Sequence, residues 1–465
     1  MSPEARSVDG SPVNEAIALD APIVDVATFV RALAFDDMPD DVVARAKRCL
    51  RDLIGIGAAA ARLPSARIVD TYAAAQMTSA DAQARLLFDG RRASRAGAAF
   101  AGAATIDALD GHDGHVLTKG HAGVAALPTL LAMADAGAAC DGREFLTCLV
   151  LGYEVGTRAG IALHASVADY HCSGAWNALA CAAIAARLLR LDSRVTREAL
   201  GIAEYAGPRG QILRVCAHPS MLKDGSSFGA HAGVCAAELA QMGFTGAPAL
   251  TVEREDAAPY WADLGSRWRI REQYFKPYPV CRWAHPAIEA TLALKRSHRF
   301  AAHDVKRVEI ESFREAIDLG SRCATPTTTD DAQYSLPYAV AAALVFDGVG
   351  AREVGEAKVR DPDVARLLGV IGLREEPEFS KRFPAERIAR VRVTLVDDRV
   401  LVSAPTQARG GPDNALSDAE LRDKYFALAE PALGEARAAR IETLVQALPD
   451  DAALSPLLDA LLAPP

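Results

Sequence analysis

Basic residues are outnumbered: 51 Lys and Arg stand against 60 Asp and Glu in 465 residues, a formal charge of −9. Such a field repels nucleic acid and acidic membranes, so neither is an expected partner, and an anionic ligand has to be held by local cations. Nine cysteines, at positions 49, 140, 148, 172, 181, 216, 235, 281 and 323, include no C-x-x-C pair. That spacing is the usual one for zinc or an iron–sulfur cluster, so the thiols read as core residues and no metal or other cofactor is expected. The histidines show no H-E-x-x-H pattern either. Residues 1–22 begin polar and acidic, without a basic stretch followed by an apolar run, and read as a loose, disordered tail. The cytoplasm is the expected location. Apolar stretches such as AWNALACAAIAARLL (175–189) are too short for a bilayer span and fit buried helices.

From about residue 27 to 275 the apolar residues recur with helical period. In PDDVVARAKRCLRDLI (39–54), Val42, Val43, Ala46, Leu50, Leu53 and Ile54 fall near one face, and Asp40 or Asp41 is placed to cap the start. Ala-rich helices are expected at about 93–108, 123–137, 143–162, 174–190, 195–206 and 228–242. After Pro277 the period changes to two: VKRVEIES (305–312) and RVRVTLVDDRVLVSA (390–404) read as strands, the second folded about Asp397-Asp398. Helical periodicity returns after Gly410 and Gly411. The fold class is therefore mainly α, with a large helical domain and a smaller α+β domain.

The densest polar cluster is DALDGHDGHVLTKGHAG, residues 107–123. It sets Asp110, His112, Asp113, His115, Lys119 and His121 in one Gly-punctuated loop between two helices. Titratable groups that converge shift one another's pKa, which is what proton-transfer sites need. Three further loops precede Ala-rich helices: ADYHCSGAW with Tyr170 and His171, CAHPSMLKDGSSFGAHAG with His218, Lys223 and His231, and YFKPYPVCRWAHPAIEA with Lys276, Tyr278, Arg282 and His285. Helix N-termini favour anions, so such loops together suit a ligand with several carboxylates. The alternative is a non-catalytic helical binding protein whose polar loops only cap helices.

In ALDGHDGH…KGHAGVAALPTLLAMAD, GYEVGTR, HAGVCAAELAQMGFTGAP, FKPYPVCRWAHPAIEA, QYSLPYAVAAAL and RGGPDNALSDAELRDKYFALA the chain resembles the MmgE/PrpD family. That family includes 2-methylcitrate dehydratase, cis-aconitate decarboxylase and iminodisuccinate epimerase. The resemblance implies a helical domain from 23–275 plus 409–465, an α+β lid from 276–408, a pocket between them and a homodimer. It carries catalytic roles to Asp110, His121, His171, Lys223 and Lys276, and a pocket role to Tyr338. Two departures fall in this region. The family's D-F-D-D-T string is replaced by Asp110-Gly111-His112-Asp113-Gly114, so His112 or His115 stands in for the threonine hydroxyl, and Ser226 follows Lys223 where many members have histidine.

The expected chemistry is proton removal next to a carboxylate of a small polycarboxylate. Lys223 and Lys276 would stabilise developing charge, His121 and His171 would serve as base and acid, and Asp110 would orient one of them. His112, His115, Tyr170, Arg282 and Tyr338 complete the expected substrate contacts. Dehydration or isomerisation leads, with epimerisation and decarboxylation as alternatives.

Overall fold

The structure is a computed structural model that describes residues 25–450 and 453–464; the tail expected over 1–22 lies outside them. The fold is mainly α. The expected helices are Arg95–Asp107, Gly123–Asp135, Gly142–Ser166, Gly174–Leu188, Ser193–Ala206 and Ser226–Gln241. The first long helix, Asp40–Ala60, differs from expectation at its start. Pro39 occupies the cap position without a side-chain bond, while Asp40 and Asp41 sit in the first turn, where the helix dipole favours acids.

Small residues let these helices meet backbone to backbone. A Cβ at Gly233 would lie 2.4 Å from the Ala178 carbonyl oxygen, so the helix Ser226–Gln241 lies almost in contact with Gly174–Leu188 and cannot accept a larger residue there. Gly142–Ser166 is long and apolar enough to cross a bilayer, but its apolar stretch is wholly buried in the bundle. Within it Glu154 and Arg158 pair one turn apart.

The second layer is a mixed sheet. Strands β1 (Gln83–Arg85) and β2 (Arg92–Ser94) form a separate small hairpin. The main sheet comprises β3 (Val305–Ser312), β4 (Ile371–Glu375), β5 (Ile388–Leu395), β6 (Val400–Val402) and β7 (Thr406–Gln407). Its order is β4-β3-β5-β6, with β7 also paired to β5; β4 runs parallel to β3 and the other pairings are antiparallel. The turn between β5 and β6 holds Asp398 at φ 63°. Helices His285–His298 and Leu336–Phe346 pack with the sheet, and Trp283, Phe313 and Phe383 form an aromatic cluster beside it.

Past residue 410 the chain crosses back to the helical layer. Asp418–Leu433 lies along Asp40–Ala60, with the Tyr425 ring against Gly55. Lys424 Nζ, in the same helix, is 2.6 Å from Asp52 Oδ1 and donates to the Gly111 carbonyl at 2.8 Å. The terminal helix segment therefore holds the loop 108–122 from behind.

Candidate active site

The loop 108–122 links the helices Arg95–Asp107 and Gly123–Asp135 and is pinned at several points. Gly114 exchanges backbone bonds with Tyr274, and His115 N donates to the Gly120 carbonyl. Gln333 clamps it from the other domain: its Oε1 accepts from Asp110 N at 2.8 Å, and its Nε2 donates to the Ala108 carbonyl at 3.2 Å. Gly114 has a direct structural reason. A Cβ there would come within 2.7 Å of His121 Nδ1 and 2.6 Å of the Tyr274 hydroxyl, so only glycine lets the imidazole close over the loop.

Lys276 Nζ pairs with Asp110 Oδ1 and also donates to the Asp110 carbonyl at 3.1 Å. Burial pushes the Asp110 carboxyl up, but attraction to Lys276, then His121 and His112, outweighs it and leaves the pKa at about 2. Burial likewise disfavours the Lys276 ammonium, and Asp110 reverses the balance, so its pKa ends above the ordinary value.

His121 Nδ1 bonds to the Asp113 carbonyl, which only accepts. Nδ1 therefore carries the hydrogen, and the lone pair sits on Nε2, 3.9 Å from Asp110 Oδ1. Burial first, then His112 and Lys276, hold this imidazole neutral. The His112 ring stands edge-on to it at 4.3 Å between centroids. His112 Nε2 lies 3.4 Å from Asp107 Oδ1 without the alignment of a hydrogen bond, so both its ring nitrogens are buried and unpartnered among the described residues.

These groups open on a narrow cavity of about 50 Å³. It is lined by Asp110, Lys119, His121, Asp224, Tyr274 and Lys276 from the helical layer and its junction, and by Arg282, Trp283, Tyr334 and Arg387 from the other domain. A wider cleft of about 460 Å³ lies behind Gly111, but its walls are mostly apolar and its cations, Arg62, Arg352 and Lys424, meet no histidine. The convergence of acid, base and cation is found in the smaller cavity. Arg282 sits over the Tyr274 ring at 4.4 Å and donates to the Phe275 and Arg409 carbonyls at 3.1 and 2.5 Å; burial lowers its pKa to about 10. Arg387 is also buried, has no ion pair among the described residues, and leaves Nε without a partner.

Other expected residues stand elsewhere. Lys223 is buried but turned to Asp330 Oδ1, at 2.8 Å, and Gln333 Oε1, at 3.0 Å. His171, half-buried, has Nδ1 3.2 Å from the Arg209 carbonyl and is outside the cavity lining. His115 Nε2 bonds to Glu272 at 3.0 Å and anchors the loop. The Tyr170 ring lies 3.6 Å from Lys119 Nζ, at one remove from the cavity. The Tyr338 hydroxyl donates to the Glu353 carbonyl at 2.5 Å, and it is Tyr334, one turn earlier, whose ring lines the cavity.

Asp224, Tyr274, Tyr334 and Arg387 were not singled out from the sequence. Asp224 and Tyr334 adjoin or fall within stretches that were, whereas Arg387 precedes an ordinary strand and carries no local signal. Asp110, His112 and His121 bring ligand atoms within 4.8 Å of one another, a spacing compatible with a metal ion. The positive charge at that point is nevertheless the Lys276 ammonium on Asp110, which an ion would have to displace.

Comparison with known proteins covers nearly the whole chain. A cis-aconitate decarboxylase-like protein of Aspergillus oryzae is 25% identical over 473 aligned residues, spanning 93% of this chain and 96% of that one. Cis-aconitate decarboxylase of Aspergillus terreus is 24% identical over 475, spanning 95% and 96%, and that of Homo sapiens 25% over 437, spanning 88% and 87%. Residues 24–262 match the MmgE/PrpD N-terminal domain and 278–450 the MmgE/PrpD C-terminal domain, so the break between the matches holds Tyr274 and Lys276 of the cavity wall. On both matches, in order along one chain, this protein belongs to the MmgE/PrpD family.

Proposed function

We propose that the chain is a lyase that acts on a small polycarboxylate by moving a proton next to a carboxylate. The observation that carries this reading is the single cavity shared by neutral His121, with its lone pair on Nε2, and the cations Lys119, Lys276, Arg282 and Arg387. Asp110 neutralises Lys276, and the remaining three cations suit a ligand with several negative charges. Such a ligand changes the base as well. A polyanion beside His121 opposes the burial and the neighbouring cations that keep it neutral, so the imidazole gains proton affinity when substrate is present. Base and charge stabilisation come from the chain's own side chains, and the reading calls for no cofactor.

The relatives named cis-aconitate decarboxylase make loss of CO2 from a cis-aconitate-like acid the first reaction to test. In that reaction the C–C bond to one carboxylate breaks, CO2 leaves, and the electron pair stays on the substrate as charge that the cations stabilise until a proton quenches it. The dehydration expected from the sequence would use the same base and cations and release water. Typical ligand sites span about 300–1,000 Å³. The narrow cavity therefore calls for movement of the Arg282 and Arg387 wall on binding.

The test is incubation of the purified full chain with cis-aconitate, 2-methylcitrate or iminodisuccinate in D2O, followed by mass spectrometry. The expected result is CO2 release from cis-aconitate with deuterium in the product. Water loss from 2-methylcitrate alone would assign a dehydratase. Binding of all three without consumption or exchange would mark a non-catalytic binding protein and refute the proposal.

A further inference from the structure

Proton transfer of this kind needs a second group. Dehydration needs a donor to the departing hydroxide and decarboxylation a donor to the carbon that CO2 leaves, and neutral His121, with its lone pair on Nε2, can take a proton but has none to give there. His171, the histidine expected for that part, lies outside the cavity lining with its Nδ1 at the Arg209 carbonyl. The cavity does contain another group able to exchange a proton, and it is wired to His121.

Asp224 lines the cavity and is fully buried. Its backbone carbonyl accepts from Gly174 N at 3.0 Å, which fixes it at the start of the helix Gly174–Leu188. Ser173 Oγ accepts from the His121 backbone N–H at 2.9 Å, so the serine hydrogen is free to point the other way, and it is donated to Asp224 Oδ2. That leaves Oδ1 buried and, among the described residues, without a partner. With Oδ2 committed as an acceptor, a proton on this carboxyl belongs on Oδ1.

Among the described residues no cation is bonded to Asp224. Facing it are Asp107, Asp110, His112, Cys172, Cys216 and Tyr334. The lysines around the cavity are engaged elsewhere, Lys276 with Asp110, Lys223 with Asp330 and Lys119 over the Tyr170 ring. A carboxyl buried among other carboxyls keeps its proton, and here burial first and Asp107 second push the pKa up to about 7, against the pull of the Ser173 bond. A substrate bearing carboxylates would hold the proton there more firmly still.

We propose that Asp224 is the second proton-transfer group of this site, donating from Oδ1 to the substrate while Ser173 ties its Oδ2 to the His121 backbone. The assignment rests on the lyase reading above. In decarboxylation the Asp224 O–H bond breaks, the substrate's electron pair forms a C–H bond, CO2 departs, and the Asp224 carboxylate regains its proton from water. In dehydration the same proton joins the departing hydroxide, His121 having taken the carbon-bound proton.

In the free protein the donor form exists below a pH of about 7 and is lost as pH rises through it, so kcat/KM should fall on that limb, and kcat should fall at higher pH because bound substrate holds the proton more firmly. Asp224→Asn should lower kcat on the order of a hundredfold or more, with KM little changed, and should abolish the limb. Asp224→Glu should restore part of the rate. Ser173→Ala removes the bond that favours the ionised form and should move the limb to higher pH. Circular dichroism controls for folding, and infrared difference spectra of wild type against Asp224→Asn read the protonated carboxyl directly, with and without citrate as a probe that fills the cavity. A folded Asp224→Asn enzyme with wild-type kcat, or a wild-type spectrum lacking a carboxyl that titrates and responds to citrate, overturns the role of Asp224. Failure of the wild-type protein to consume any polycarboxylate overturns the lyase reading instead, whatever the spectra show.

Discussion

Replacing Lys276 with methionine keeps most of the side chain's bulk and removes the ammonium bonded to Asp110. Both groups are buried, so the consequences are electrostatic. In the wild-type protein the Asp110 pKa is depressed from 3.8 to about 2, which makes its ionised form a source of stability. That stability is fully present above about pH 4 and is lost as pH falls toward 2; at about 1.4 kcal/mol per pH unit it amounts to about 2 kcal/mol. Without Lys276 the largest influence on Asp110 is burial, which raises its pKa, and the sign of the dependence reverses. The variant should then lose stability as pH rises above 4, because an unpaired buried carboxylate must ionise or stay protonated at increasing cost. Breaking a buried pair typically costs about 3–5 kcal/mol, so a loss of that order is expected near pH 8 and a smaller one near pH 5. Urea unfolding followed by circular dichroism at the two pH values measures it. Asp110→Asn in the same background should recover much of the stability and none of the activity. Steady-state kinetics should show kcat lowered on the order of a hundredfold, the effect of removing one electrostatic donor at developing charge. Equal loss of stability at both pH values, or a folded Lys276→Met enzyme with unchanged kcat and KM, would refute the reasoning.

Gly114→Ala should displace His121, since the added Cβ meets Nδ1 at 2.7 Å; misplacement of this size costs on the order of a hundredfold in kcat, and a wild-type rate would show that the imidazole is not the base. Tyr153→Phe removes the hydroxyl bonded to Asp113, whose pKa burial has already pushed up to about 6. A raised carboxyl pKa means stability is lost as pH rises through 6, so the variant, expected to lose about 1–3 kcal/mol, should show this fall at higher pH in melting curves, and an unshifted curve would contradict it. A chain ending at 408 lacks Tyr425 and Lys424, which cover Gly55 and grip the Gly111 carbonyl, and should aggregate; a soluble, cooperatively unfolding truncation would count against the packing argument.

The strand Val305–Ser312 and the β5–β6 turn at Asp398 were legible because alternation of apolar and polar residues and a tight acidic turn are local signals. Ile371–Glu375 was not. IGLRE offers only Ile371 and Leu373 on one face, is half-buried along most of its length, and becomes a strand by pairing parallel with β3. In the site, Asp110, His121, Lys276 and Arg282 were named from loops and line one cavity. Arg387 had no local mark, because what singles it out is burial without an ion pair among the described residues, a property of its surroundings.

The sequence by itself determined the strongly periodic helices, the strands in 305–312 and 390–404, the polar loop between Asp107 and Gly123, and the likeness to the MmgE/PrpD family, since periodicity and ordered motifs are carried by near neighbours along the chain. Only the tertiary structure decided which way each buried charge turns. Lys223 and Lys276 looked equivalent as lysines on loops, yet one meets Asp330 and Gln333 while the other meets Asp110 beside His121. A buried ammonium goes where a carboxylate can compensate its desolvation, and those carboxylates lie more than a hundred residues away in the chain.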